Sequence, residues 1–420
     1  MLTKYTSRAG FFLAAFCPRP WGIGLPNLFF VLSISWAAII VAAGITVAAG
    51  DVAAGDVAPA TGSEVPSVHS ASQWELIDNS ATMSQVIDLN QHGHVVGIRD
   101  VPLANIGSES EPFVYMDGQE QVIPKPPGFT NLMPEAISDN RCVVGYVSRV
   151  IGHPEGSMRG FIFSVGDNQI NVLPPLEGHN GSHAFDINDD GSVISGYSTG
   201  RNPQSMIPCV WQRSNGQWQT RALATIHDFN PYLLSSRVIV SGDGLHVVAC
   251  ITVEIIPGDI TRYVSHLYQW TRNASDEWQR QARFDKALQL AAINNRTTIT
   301  GTCQVENQRR AFVLNPQNQL QVLGLLEADV SAEAADINNH GQVVGYSDDP
   351  HGPESGPQAF IWSSGKVMPI EFPRPVAFSS ATAINDDGQI AGFIEPTVED
   401  SKQDKTISFV LSMHETLGEK

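Results

Sequence analysis

One short phrase recurs seven times along this chain, and the repetition restricts the fold more than any other feature. Each copy joins a short apolar run, a turn rich in Asn and Asp, and a second run rich in Val and Ile. The copies lie 44 to 53 residues apart and are anchored on Ile87, Ile137, Ile187, Val240, Ile293, Ile337 and Ile384. A fixed period of this length predicts a repeat architecture rather than one irregular domain.

Each repeat translates into four β-strands. Turn residues between two β-branched runs are typical of a β-hairpin, because Gly and Asn tolerate a left-handed backbone. An aromatic phrase such as Ala359–Trp362 follows each copy and opens a second hairpin. Four strands in a period of about 40–50 residues are typical of a propeller blade. The sequence therefore predicts an all-β, seven-bladed β-propeller of four-stranded blades over residues 72–411, since no helical period follows residue 50.

The last repeat lacks a fourth strand at the C-terminal side. Its third strand is Ile407–Leu411, and residues 412–420 have the composition of a short tail. A strand-like segment, Trp74–Ile77, precedes the first repeat. Because an open ring would leave an unpaired sheet edge, we predict that these two strands pair antiparallel and that the N-terminal strand closes the last blade.

Most repeated residues are expected to be structural. We predict that Ile337 and Phe360 are buried, and that Asn339 and His340 are exposed in a turn. Gly345, like its counterparts, is predicted to end the second strand of its blade, where a side chain would obstruct the chain or a neighbouring blade.

The first 50 residues have the features of an export segment. They contain three basic residues, no acidic residue and the apolar run Leu28–Ala49, which has 22 residues. About 20 apolar residues span a bilayer, and basic residues before such a run place the following chain outside the cytoplasm. Residues 1–50 are therefore either a signal peptide or an uncleaved signal anchor, and residues 51–71 are a flexible linker. We expect an extracytoplasmic protein that is secreted, periplasmic or membrane-anchored.

Charge excludes some partners. Acidic residues outnumber basic residues by 43 to 25, which gives a formal net charge of −18. Nucleic-acid backbones and anionic membrane surfaces require clustered Lys and Arg. We expect no nucleic-acid partner, no membrane contact beyond residues 28–49, and a monomer.

The best copy of the phrase resembles a known repeat. Residues 334–346 and 359–362 are similar to the HAF-type extracellular repeat, and the resemblance covers residues 83–411. It implies export and a propeller-like fold, with no assigned activity or catalytic residue. Arg141 and Thr297 replace the turn glycine of the pattern, and the copy at 238–249 departs from it throughout.

Two motifs have alternative functional interpretations. Gly196–Gly200 matches the G-x-S-x-G motif of hydrolases, but Gly-Tyr-Ser recurs at 345–347 and no helix follows, so we assign it to the repeat. Asp186–Gly191 matches half of a calcium loop but lacks the closing acidic ligand, and the alternative is a hairpin turn with local hydrogen bonds. His179 and His183 lack a zinc-binding context.

Four cysteines would remain after export. Cys142, Cys209, Cys250 and Cys303 fall in four different repeats. Cys250 and Cys303 follow corresponding strands of adjacent blades and form the only plausible disulfide, whereas buried thiols are the alternative.

We therefore predict an exported, non-catalytic propeller that acts as a binding or scaffold module for a protein or polysaccharide. No catalytic, cofactor-binding or metal-binding residue is assigned, and no cofactor is expected. The alternative is a carbohydrate-active hydrolase or lyase. That enzyme would need convergent carboxylates or a His–Tyr pair at one mouth of the ring.

Overall fold

A computed structural model of the protein describes residues 73–77, 83–102, 108–149, 158–200, 206–224, 233–256, 262–284, 288–326, 329–348, 356–397 and 406–412. These residues are built from β-strands, and no helix occurs among them. Within the same ranges, no helix is long and apolar enough to cross a membrane. The predicted export segment, the linker at 51–71 and the tail beyond residue 412 lie outside the described residues.

The strands form seven antiparallel sheets of four strands, the blades. Blade 1 contains β2 (Met83–Leu89), β3 (Val95–Pro102), β4 (Ser108–Met116) and β5 (Gln119–Val122). Blade 2 contains β6 (Asn131–Ile137), β7 (Cys142–Ser148), β8 (Met158–Ser164) and β9 (Gln169–Val172). Blade 3 contains β10 (Gly181–Ile187), β11 (Val193–Thr199), β12 (Met206–Ser214) and β13 (Gln217–Ala222). Blade 4 contains β14 (Leu233–Val240), β15 (His246–Ile256), β16 (Arg262–Arg272) and β17 (Trp278–Phe284). Blade 5 contains β18 (Gln289–Ile293), β19 (Ile299–Val305), β20 (Gln308–Leu314) and β21 (Leu320–Val322). Blade 6 contains β22 (Ser331–Ile337), β23 (Val343–Asp348), β24 (Gln358–Ser363) and β25 (Lys366–Pro369). Blade 7 contains β1 (Gln73–Ile77), β26 (Val376–Ile384), β27 (Gln389–Pro396) and β28 (Ile407–Ser412).

The blades follow one another in a closed ring. The first strand of each blade contacts the first strand of the next, and β26 of blade 7 contacts β2 of blade 1. The prediction of an all-β, seven-bladed propeller of four-stranded blades is confirmed.

Blade 7 is assembled from both ends of the ring. Strand β1 pairs antiparallel with β28, and Trp74 lies opposite Leu411. The Trp74 ring packs 4.9 Å from Phe372 and 5.4 Å from Phe409. The predicted closure of the last blade by an N-terminal strand is therefore confirmed.

Apolar side chains of neighbouring blades form the core. Ile337 and Phe360 are buried as predicted, with 5% and 0% exposure, in one cluster shared by blades 5 and 6. His340 is exposed as predicted. Asn339 was expected to be exposed but is half-buried, because its amide donates to Asp386 Oδ2 of the next blade at 2.8 Å.

The first strand of every blade carries a β-bulge, which the sequence analysis did not predict. In six blades one residue is left unpaired in the ladder: Ile87, Glu135, Phe185, Ala291, Ala335 and Thr382. The repeated glycine lies opposite the residue that precedes the bulge. A Cβ atom on Gly345 would lie 2.0 Å from the Glu333 carbonyl oxygen.

This contact corrects the predicted role of the glycine. Gly345 lies within β23 rather than at its end, and it is glycine because the first strand's carbonyl occupies the space of a side chain. Blade 4 has Ala249 at the corresponding position, and its bulge is displaced to residues 236 and 237. A β-bulge and its glycine are therefore one coupled feature of the repeat.

A belt of hydrogen bonds joins the first turns of all seven blades. In each link a backbone N–H of one turn donates to an oxygen of the next turn. The links, which we call the turn belt, are Gln91 to Asp139 Oδ1, Asp139 to Asp189 O, Asp189 to Gly242 O, Asp243 to Asn295 Oδ1, Asn295 to Asn339 Oδ1, Asn339 to Asp386 Oδ1 and Asp386 to Gln91 Oε1, each 2.7–2.9 Å long. The belt passes from blade 7 back to blade 1 and closes the ring a second time.

Candidate functional site in the central channel

The first strands of the blades surround a cavity on the axis of the ring. Its volume is about 150 Å³, and its wall includes the unpaired bulge residue of each blade. In blade 4 this position is taken by Arg237. Because a bulge residue is outside the ladder, its identity can vary without disturbing the blade.

Three aspartates follow the bulge in blades 1, 3 and 6 and tie neighbouring blades together. Each carboxylate accepts a backbone N–H of the next blade. The contacts are Ile137 N to Asp88 Oδ2 at 2.8 Å, Val240 N to Asp186 Oδ2 at 2.9 Å, and Ile384 N to Asp336 Oδ2 at 2.8 Å. The carboxylates thus satisfy amide groups that have no partner strand in their own blade.

The same three carboxyl groups titrate near neutral pH. Desolvation by burial raises the pKa of Asp88 to about 8, of Asp186 to about 7 and of Asp336 to about 6. Hydrogen bonds from backbone amides oppose this shift, whereas Coulombic repulsion within the group supports it. The channel therefore carries less negative charge than its composition suggests.

The half calcium loop of blade 3 adopts the hairpin-turn alternative. Asn188 Oδ1 accepts the N–H of Val193 and Asp190 Oδ1 accepts the N–H of Ser192, each at 2.8 Å. Both Asp186 oxygens also accept backbone amides. In the part of the chain that the structure describes, no three His, Cys, Asp or Glu side chains are grouped to hold a metal ion.

A buried histidine anchors one carboxylate of the channel wall. His183 is 6% exposed, and its Nε2 lies 3.1 Å from Glu135 Oε1 of the neighbouring blade. Its Nδ1 lies 3.3 Å from the Tyr197 hydroxyl. Phe185 stacks on the imidazole at 4.0 Å, and the Tyr146 ring lies at 4.4 Å.

The chemistry of the partners fixes the direction of this hydrogen-bond chain. Burial, followed by the Glu135 charge, raises the pKa values of Tyr146 and Tyr197, so both phenols stay protonated at neutral pH. A carboxylate oxygen accepts a hydrogen bond, so His183 Nε2–H donates to Glu135, while Nδ1 lies 3.3 Å from the Tyr197 hydroxyl. The cluster therefore holds the Glu135 carboxylate at the cavity wall.

Arg237 supplies the opposite charge. It lines the same cavity, and its Nε is buried without a hydrogen-bond partner among the described residues. Its charge lowers the pKa values of Asp186 and Asp336 against the larger effect of burial. The Arg237 Nε–H is therefore a donor that another acceptor could satisfy.

The G-x-S-x-G motif is a structural element, as the sequence analysis assigned it. Ser198 has 0% exposure, and its Oγ accepts the N–H of Leu176 at 2.9 Å and lies 3.0 Å from His179 Nδ1. Ser347 is the corresponding residue of blade 6 and is equally buried. A serine that substrate cannot reach does not act as a nucleophile, and His179 and His183 serve different clusters.

The four cysteines of the ring are buried as thiols. Cys250 and Cys303 lie in the same hydrophobic cluster between blades 4 and 5. Burial raises the pKa values of the Cys142 and Cys209 thiols, which keeps them protonated. The thiol alternative, rather than the Cys250–Cys303 disulfide, is the one that the structure adopts.

Several solved structures similar to this chain belong to peptidases. The propeller domain of the trilobed protease from Pyrococcus furiosus has a TM-score of 0.53 and 13% identity, over 81% of this chain and 99% of that chain. Prolyl oligopeptidase B from Galerina marginata has a TM-score of 0.52 and 10% identity, over 76% of this chain and 47% of that chain. A prolyl endopeptidase has a TM-score of 0.50 and 12% identity, over 73% and 45%. The chain thus spans about half the length of the latter two proteins.

The comparison confirms the fold and corrects the predicted function. No family model and no curated protein matches the chain. The similar solved structures belong to peptidases, which contradicts the prediction of a non-catalytic binding or scaffold module and its carbohydrate-active alternative. The prediction was wrong because a repeat specifies the ring and not the chemistry on its axis. At these identities the likeness shows the fold of this chain and not an activity.

The residues of the channel wall were missed by the sequence analysis. Glu135, Phe185 and Arg237 each depart from the small or aliphatic residues at the related positions, such as Ala291 and Ala335. The available signal was that the residue at this position differs from one repeat to the next. Its meaning was missed because the β-bulge that turns this position toward the axis was not predicted.

Proposed function

We propose that this chain is the propeller component of a peptide-hydrolysing enzyme, and that its channel receives short or extended peptides for that enzyme. The observation that carries the proposal is the cavity on the axis, whose wall includes one bulge residue of each blade that the repeat leaves free to vary. At about 150 Å³ the cavity is smaller than most ligand pockets, so it suits a peptide segment and not a folded domain. The peptidase propellers of similar fold support the same class of enzyme.

The hydrolytic groups are proposed to lie outside the described residues. Ser198 has 0% exposure and its neighbour His179 is occupied by it, so this pair does not attack a peptide bond. The catalytic unit would belong to a partner or to a further part of the polypeptide. The formal charge of −18 would favour the approach of cationic peptides over anionic ones.

We further propose that the protein is exported and related to the HAF-type extracellular repeats. The support is the apolar run 28–49 behind a basic N-terminus, together with the repeated phrase of 334–346. A reporter fused to residue 420 that is active only in the cytoplasm would contradict export.

The test of the enzyme association uses the tagged full chain, purified under native conditions from its source cells. A short quenched-fluorescent peptide and a folded protein that contains the same sequence are the two substrates. We expect peptide hydrolysis to elute with the tagged chain, and the peptide to be cleaved faster than the folded protein.

A matched pair of variants links hydrolysis to the channel. Ala335→Trp narrows the cavity at a bulge position, whereas Ala222→Trp adds the same side chain to an exposed position of the outer strand β13. We expect slower peptide hydrolysis with Ala335→Trp and an unchanged rate with Ala222→Trp. A tagged chain that elutes without peptide hydrolysis, or equal rates for the two variants, would contradict the proposal.

A further inference from the structure

Charged and aromatic residues occupy one side of the channel wall. Blades 2, 3 and 4 are adjacent, and their residues at the bulge are Glu135, Phe185 and Arg237. The other four blades place only uncharged residues there: Ile87, Ala291, Ala335 and Thr382. The wall is therefore asymmetric although the ring is built from repeats, and the asymmetry combines an acid, an aromatic ring and a base.

The side chain of Glu135 is held in place through one of its two carboxylate oxygens. Its Oε1 is held by His183, whose other ring nitrogen is held by the buried Tyr197. Its side chain keeps 24% exposure, and within the described residues only Oε1 has a hydrogen-bond partner. A carboxylate oriented by a buried cluster, with one oxygen open, is suited to bind an ammonium group.

Arg237 has an unsatisfied donor at the same cavity. A buried N–H without an acceptor costs free energy, so native proteins usually give it one. The described side chains provide none for Arg237 Nε. A ligand carboxylate would satisfy this donor and could accept two parallel hydrogen bonds from the guanidinium.

We propose that the channel binds a small molecule carrying both an ammonium group and a carboxylate, namely a free α-amino acid or a short peptide. The ammonium group pairs with Glu135, the carboxylate pairs with Arg237, and an apolar side chain packs on Phe185. The choice of a peptide as ligand rests on the proposed function, whereas the two charged contacts rest on the wall itself. The cavity of about 150 Å³ limits the ligand to this size class.

Calorimetric titration of the full chain tests the proposal with three probes. The probes are the dipeptide leucylglycine, its C-terminal amide and its N-acetyl derivative. We expect leucylglycine to bind, and each blocked derivative to bind about tenfold or more weakly, because each loses one charge-assisted contact.

Two variants assign the contacts. Arg237→Gln should bind leucylglycine and its amide with equal affinity, and Glu135→Gln should bind leucylglycine and its N-acetyl derivative with equal affinity. Gln at 135 keeps an oxygen for His183 Nε2–H, so the cluster is retained. Arg221→Gln and Glu109→Gln change exposed charges on β13, the outer strand of blade 3, and on β4, the third strand of blade 1, and should leave all three affinities unchanged.

Three results would overturn the proposal. Leucylglycine does not bind, the three probes bind with equal affinity, or Arg237→Gln and Glu135→Gln both still bind leucylglycine more tightly than its two blocked derivatives. Peptide hydrolysis by the purified complex without dipeptide binding would overturn this site and leave the proposed function intact. Dipeptide binding in a complex without hydrolysis would overturn the proposed function and leave the site intact.

Discussion

Replacing Gly145 with alanine should both destabilise the ring and weaken ligand binding in the channel, whereas Gly345→Ala should only destabilise the ring. Both glycines face the bulge of their own blade. A Cβ atom on Gly145 would lie 2.1 Å from the Met133 carbonyl oxygen, and on Gly345 it would lie 2.0 Å from the Glu333 carbonyl oxygen. The bulge opposite Gly145 carries Glu135, and the bulge opposite Gly345 carries Ala335.

The magnitude follows from the distance that the backbone must move. Ordinary contacts to a Cβ atom begin near 3.4 Å, so the two strands of the blade must separate by more than 1 Å at this point. Overpacking of this kind costs about 1–3 kcal/mol. Ala249 of blade 4 shows how the chain can respond, because the bulge there lies one residue earlier.

A relocated bulge in blade 2 would turn Glu135 away from the cavity. We therefore expect Gly145→Ala to lower leucylglycine affinity about tenfold or more, the loss of one charge-assisted contact. Gly345→Ala should keep wild-type affinity because Ala335 contributes no charge to the wall.

Equilibrium urea unfolding and calorimetric titration measure the two effects. Gly166→Ala is the control, since a Cβ atom there would meet nothing within 4 Å, and it should change stability by less than about 0.5 kcal/mol. If Gly145→Ala unfolds at the wild-type urea concentration, the coupling between glycine and bulge is refuted. If both glycine variants lose affinity equally, the assignment of Glu135 to the site is refuted.

Three further outcomes are expected. Trp74→Ala should lower the free energy of unfolding by about 2–3 kcal/mol in urea melts, because a half-buried ring that closes blade 7 is removed; an unchanged midpoint would contradict the role of β1. Burial raises the pKa of Asp88 to about 8, so its contribution to stability is complete below its ordinary pKa of 3.8 and is lost as the pH rises toward 8. The free energy of unfolding should therefore fall between pH 5 and pH 8, and Asp88→Asn should flatten this slope, whereas an identical slope would rule the account out. Ile337→Ala should lower the free energy of unfolding by about 2–5 kcal/mol, and His340→Ala by less than about 0.5 kcal/mol. The reverse order would show that the stability of this repeat depends on its turn and not on its core.

The number of blades and their closure could be predicted because their causes are local and repeated. Alternating apolar runs, turn residues and aromatic phrases recur seven times, so each uncertain copy is supported by the others. Closure followed from one missing strand at 412–420 and one spare strand at Trp74–Ile77. The edge of an open sheet has to be covered, and the spare strand is the segment that covers it.

The contacts between blades could not be predicted from the same pattern. Asn339 has the polarity of a turn residue, but its side chain belongs to the turn belt. Gly345 has the position of a strand end, but a carbonyl oxygen of the first strand requires it. Both reasons involve residues distant in sequence, and a repeat pattern contains no information about the direction in which its polar groups point.

The channel site could not be predicted from the sequence for a different reason. Glu135, Phe185 and Arg237 are residues in which the copies differ, and an analysis of repeats weights what the copies share. His183 was considered as a metal ligand, whereas the structure makes it the support of Glu135.

The pairing of β1 with β28 has a consequence for how this ring could be connected. Gln73 lies directly opposite Ser412, so the two ends of the ring are neighbours across one sheet. A short linker from residue 412 to residue 73 would allow new termini in any loop between blades, for example between Val122 and Asn131. Such a circular permutant would keep every blade and every link of the turn belt, as is common for domains with adjacent ends. The architecture therefore has no fixed first blade: the repeats keep their cyclic order, and only the blade at which the polypeptide begins can change.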